Sequence, residues 1–182
     1  MNRTFTTIVI LLLLATTTAQ AQIYDKGINV LSAGFGFGSA LVMGTTTKTP
    51  MFSLQYERGL VDINGSGFIS LGCYGGYNLY SLGADKFSYT ILGLRTAYHL
   101  NSVNLGNVDV YGGMMVSYDF RGAPSQGFRK RYLGLSGADL YHSKFDFMPF
   151  IGARFLLNEN MSVFTEASYG VSFISLGFAY FL

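Results

Sequence analysis

Three sets of residues in this 182-residue chain are of types that do chemistry. His142 and Ser143, with Asp139 close by, are the types used in nucleophilic catalysis, where a base takes the hydroxyl proton and a carboxylate orients the base. Neighbouring residues on an extended strand point to opposite faces, so His142 and Ser143 are poorly disposed to act on each other. The second set is a basic patch, Arg129, Lys130 and Arg131, between Phe128 and Tyr132. Such a patch can contact phosphates or an anionic polymer, but the preferred reading is a solvated loop tip. The third set is scattered: Glu57, Arg95, Asp109, Asp119, Arg154 and Glu166, with His99 among them. Carboxylates of this kind serve either as general acids and bases or as partners of buried arginines. Cys73 is the single cysteine, which excludes an internal disulfide, and a lone His99 makes no metal site. The residues imply no cofactor and no metal.

The elements that must position these groups are strands. Apolar and polar residues alternate at period two through most of the chain, and beyond the N-terminus no apolar run approaches the ~20 residues of a spanning helix. Alternation delimits eight strands, at about 28–42, 51–58, 67–80, 87–100, 108–120, 144–157, 161–169 and 173–182. The clearest is the fifth, with Val108, Val110, Met114, Val116, Tyr118 and Phe120 on one face and Asp109, Tyr111, Gly113, Met115, Ser117 and Asp119 on the other. The Gly-Phe-Gly-Phe-Gly run at 34–38 is a strand with a small inner face rather than a phosphate loop, because no helix follows it. Pro149 conflicts with the sixth strand, since proline cannot donate to a ladder. It demands either a bulge near a rim or a later strand start.

Which face is inside follows from the charges. Leu, Ile, Val and Phe repeat on one face of every strand, while by parity Glu57, Arg95, Asp109, Asp119, Arg154 and Glu166 share the other. A soluble sheet would bury the large apolar face. A membrane barrel inverts this, and an arginine left on the lipid side at mid-membrane would cost roughly 2–4 kcal/mol. Charges enclosed in the interior persist only when paired, so Arg95 and Arg154 are expected to pair with Glu57, Glu166 and Asp109. The same inner face carries Tyr74, Tyr111, Met115, Phe150, Phe164, Phe173 and Phe181, enough to fill an eight-stranded barrel. Composition agrees: 49% hydrophobic residues with only 12 Lys+Arg against 10 Asp+Glu, and 23 Gly with 16 Phe and 13 Tyr for crowded lumen, turns and interfacial girdles.

The N-terminus has the form of an export signal. Arg3 precedes an apolar run from Ile8 to Ala15, and Ala19-Gln20-Ala21 is an A-x-A cleavage site, so residues 1–21 are expected to be removed, leaving a single barrel domain at 22–182. With an even strand number and an exported start, both ends lie on the periplasmic side. Connections 43–50, 81–86, 121–143 and 170–172 then face outward, and 59–66, 101–107 and 158–160 are periplasmic turns.

At the C-terminus, Ser175, Gly177, Tyr180 and Leu182 follow the pattern polar, any, Gly, any, any, aromatic, any, hydrophobic. This ending resembles the assembly signal of Gram-negative outer-membrane barrels. With the alternation over residues 28–182, the chain resembles the small OmpA/OmpX-like, "porin family" outer-membrane β-barrel proteins, without the periplasmic peptidoglycan-binding domain of longer relatives. The resemblance implies an all-β, eight-stranded antiparallel up-and-down transmembrane barrel in the outer membrane. It further implies contact with outer-membrane lipid and lipopolysaccharide, handling by the barrel-assembly machinery, and no nucleic-acid partner. A non-enzymatic structural or surface-interaction role for a monomer, with an unidentified adhesion or surface partner, is the expectation. The alternatives are a narrow channel for small solutes and a lipid A-modifying enzyme.

Overall fold

The computed structural model describes residues 24–38, 46–47, 49–82, 85–100, 107–121, 144–170 and 172–182. The segment 1–21, the basic patch at Arg129, Lys130 and Arg131, and the group Asp139, His142 and Ser143 lie outside these residues. Among the described residues no helix is long and apolar enough to cross a membrane.

The strands are β1 (Asn29–Phe37), β2 (Thr46–Thr47), β3 (Met51–Asp62), β4 (Gly67–Leu82), β5 (Asp85–Leu100), β6 (Val108–Arg121), β7 (Lys144–Leu156), β8 (Met161–Ser168) and β9 (Ile174–Phe181). Apart from the two-residue β2, which lies against β4, each strand pairs antiparallel with its sequence neighbours. The β1–β9 pairing then closes the ring. The result is an eight-stranded up-and-down barrel with no free edge.

Alternation along each strand decides the two faces. In β3 the pattern is strictly buried–exposed from Met51 to Leu60. In β5 Leu94 is 66% exposed and the adjacent Arg95 only 2%. The apolar residues Leu31, Phe52, Leu54, Leu71, Leu92 and Phe147 are all on the outer surface, while Glu57, Arg95, Asp109, Asp119, Arg154 and Glu166 are all buried. The molecule is therefore greasy outside and charged within, the reverse of a soluble sandwich.

Several boundaries differ from the sequence expectation. β4 and β5 stay in register to Leu82↔Asp85, so most of the segment 81–86 is ladder rather than loop. Thr46 and Thr47, expected in a loop, pair with Ser81 and Tyr80 instead. β3 runs on to Asp62 past a bulge between Gly59 and Val61, and the turn beyond it is tight, with Asn64 (φ 48°) and Gly65 (φ 75°) left-handed. Phe173, expected to point inward, is 43% exposed. It precedes β9, its N–H donates to Phe37 O across the closing seam, and the regular alternation begins only at Ile174.

Pro149 is accommodated without a bulge. It lies in β7 opposite Met114. Its carbonyl accepts from Tyr169 N–H at 3.1 Å, so its backbone polar side faces β8. The β7–β8 ladder ends one residue earlier, at Phe150↔Ser168, and the missing donor falls beyond it.

Candidate functional site

The interior is built in layers, and cross-strand register decides which side chains meet. Asp109 and Arg154 are directly opposed on β6 and β7. Glu57 on β3 and Arg95 on β5 both oppose Gly72 of β4, so a glycine lies between two long side chains. Gly152 on β7 likewise separates Tyr111 from Glu166, and a Cβ there would sit 2.5 Å from the Tyr111 ring. Alternation of large and absent side chains around the ring is what lets a narrow barrel fill its centre.

Towards the barrel end where β5 stops and β6 begins, the charges form one connected layer. Arg154 donates from Nη1 to Asp109 Oδ2 and from Nη2 to both oxygens of Glu57, all at 3.2 Å. Arg95 donates from Nη2 to Glu166 Oε2 at 2.7 Å and from Nη1 to Gln55 Oε1 at 2.7 Å, while its Nε stands 3.7 Å from Glu57 Oε2. Tyr111 donates to Glu166 Oε2 at 3.3 Å. Both guanidinium planes also lie on aromatic faces, Arg95 over Phe150 at 4.0 Å and Arg154 over Tyr111 at 4.5 Å. Glu57, Arg95, Asp109, Arg154 and Glu166 are thus brought together. Asp119 is apart from them, accepting from Tyr89 at 2.5 Å and from Ser117 at 3.4 Å.

His99 belongs to this layer, a role its sequence surroundings do not disclose. Its Nδ1 is 2.9 Å from Asp109 Oδ1, and its Nε2 is 3.0 Å from both Ser70 Oγ and Glu57 Oε1. The ring stacks on Phe68 at 4.5 Å with an interplanar angle of 4°. Ser70, His99 and Asp109 therefore have the connectivity of a hydrolytic triad, which the sequence pattern missed. Only parity offers a signal for it: all three point inward from adjacent strands.

Two features of its surroundings distinguish that constellation from an open triad. Both ring nitrogens face carboxylate oxygens, Nδ1 to Asp109 and Nε2 to Glu57, so the Ser70 hydroxyl shares Nε2 with a second carboxylate instead of having it to itself. Ser70 and His99 are also both wholly buried, leaving no room for a substrate against the hydroxyl. Glu57 and Asp109 lie at opposite edges of the ring, and among the described residues no group of His, Cys, Asp and Glu could hold a metal ion.

Above the charged layer, Met51, Tyr74, Tyr89, Ile91, Met115 and Met148 fill the barrel. A cavity of about 10 Å³ remains beside Arg95, Glu166 and Ser175, room for a single water. Of the C-terminal pattern, Ser175 points inward and hydrogen-bonds Ser172 at 2.6 Å, whereas Tyr180 and Leu182 project from the outer wall. Gly177 lies beneath the Phe164 ring, where a Cβ would stand 2.6 Å from it.

No family model and no curated protein sequence matches the chain. Solved structures do. The outer membrane protein OprG from Pseudomonas aeruginosa superposes with a TM-score of 0.57 at 12% identity, covering 89% of this chain and 99% of that one. The N-terminal β-barrel domain of Pseudomonas aeruginosa OprF gives 0.47 at 11% identity over 87% and 98%. Ail of Yersinia pestis in a phospholipid nanodisc gives 0.47 at 15% identity over 86% and 100%. In its fold, the chain is an eight-stranded antiparallel barrel of the small outer-membrane type.

Proposed function

We propose that the protein is a non-enzymatic integral barrel of a Gram-negative outer membrane, exported by a cleaved signal, with a structural or surface-interaction role. The observation that carries this is the pairing of an apolar outer wall with an interior crossed by the Arg95 and Arg154 ion-pair layer. An outer wall of Leu and Phe suits acyl chains, and a filled centre favours neither solute passage nor substrate entry. In this reading the loops do the interacting, and the stretch with Arg129, Lys130 and Arg131 meets lipopolysaccharide phosphates or another anionic surface polymer. Ser175, Gly177, Tyr180 and Leu182 serve as the assembly signal.

The test uses the refolded barrel in lipid vesicles. Binding of lipopolysaccharide and of heparin, as a model polyanion, is measured with and without reversal of Arg129, Lys130 and Arg131 to Glu. Weaker binding with the reversal supports the loop role, and unchanged binding removes it. Discrete conductance steps in planar bilayers would replace this reading with a channel. Deacylated lipid A in cells expressing the protein would replace it with an enzyme.

A further inference from the structure

The chain just before β1 does not run along the outside of the barrel but turns into it. Tyr24, outside any strand, is completely buried. Its ring stands edge-on to Phe68 and to His99, both with centroids at 4.8 Å, lies 5.8 Å from Phe181, and receives the Arg154 guanidinium at 5.2 Å. The ring therefore covers the cluster of Ser70, His99, Glu57 and Asp109 at the barrel end that also carries Leu182. The turn that delivers it is specified by two glycines. Gly27 adopts φ +90° and donates to Gly59 O at 2.9 Å, and Gly59 N–H donates back to Ile28 O at 3.1 Å. A Cβ on Gly59 would stand 2.5 Å from Asp25 O, so this strand position is kept bare for the incoming chain.

We infer that residues 24–28 form a stopper, with Tyr24 as its plug, that keeps water and small solutes from the acid–histidine cluster. The inference stands on packing and goes beyond the surface role proposed above. An aromatic plug on a short turn is a removable device. It is held by ring contacts and two backbone hydrogen bonds with Gly59, whereas the wall around it is held by continuous ladders. Withdrawing it leaves Glu57, Asp109 and His99 facing the aqueous side, where a proton or small cation can reach them.

A buried thiol reports the state of the stopper. Cys73 lies on the outer wall, so the background is Cys73→Ser with Ser70→Cys as reporter. The whole barrel is reconstituted in vesicles, its folding checked by heat-modifiable migration, and treated with a charged, water-soluble methanethiosulfonate. With Tyr24 present, Cys labelling at position 70 is expected to be slow. Tyr24→Ala should accelerate it by roughly tenfold or more, and Tyr24→Phe, which keeps the ring, should not. Gly59→Ala supplies a second route, displacing the turn without touching Tyr24, and should accelerate labelling in the same way. Fast labelling in the unaltered background, or labelling as slow in Gly59→Ala and Tyr24→Ala as with the plug intact, would overturn the stopper. Should Tyr24→Ala fail to fold, Gly59→Ala alone decides.

Discussion

Arg154 lies between Glu57 and Asp109 with its guanidinium on the Tyr111 ring, and every one of these groups is buried. Forming such a pair in a low-dielectric interior contributes little net free energy, because desolvation offsets the attraction. Removing one member is a different matter, since it strands the others. Arg154→Ala leaves two carboxylates facing each other across His99. We expect it to lower unfolding free energy by about 3–5 kcal/mol in urea titrations of the vesicle-bound barrel. A change no larger than that of a surface substitution would show that the layer is not a stabilising network. The inward placement of these charges was legible residue by residue, because parity fixes the face. His99 as the bridge between Glu57 and Asp109 was not. Its two partners are 42 residues before it and 10 after it in sequence, and only the register of β3, β4, β5 and β6 brings them to one ring.

Among the elements, β7 shows how strand position governs what a residue costs. Pro149 removes a donor where the β8 ladder has already ended. Pro149→Ala should therefore change stability by less than about 1 kcal/mol, the scale of a proline's effect on the unfolded chain. Ile151→Pro, two residues on and opposite Ala167, takes a donor from within the ladder and should destabilise clearly more in the same titration. Comparable losses from the two would mean that the ladder extends past Ser168. Element number and order followed from alternation alone. Boundaries did not: the β4–β5 hairpin pairs through Ser81, Leu82, Asp85 and Lys86, whose mixed polarity resembles a loop. Backbone pairing needs no particular side chain, so a rim of polar residues conceals it. Phe173 failed in the opposite direction, because parity carries no information past the end of a ladder.

For the molecule as a whole, the decisive property is inversion of the two faces, and it is measurable. Leu94 is 66% exposed near the middle of β5. In water Leu94→Arg would be close to neutral. In a bilayer it should cost roughly 2–4 kcal/mol, read as loss of unfolding free energy in vesicles but not as loss of migration difference between boiled and unboiled samples. A neutral result in vesicles would remove the membrane reading. Fold class, strand number and the face each charge occupies follow from the residue pattern, because a period-two alternation with greasy and charged sides has few architectures open to it. Tertiary structure alone decided which charges touch, that Ser70, His99 and Asp109 line up yet are sealed, and that Tyr24 enters the barrel. Those facts depend on inter-strand register and on where a turn sends the chain, distances that no local pattern encodes.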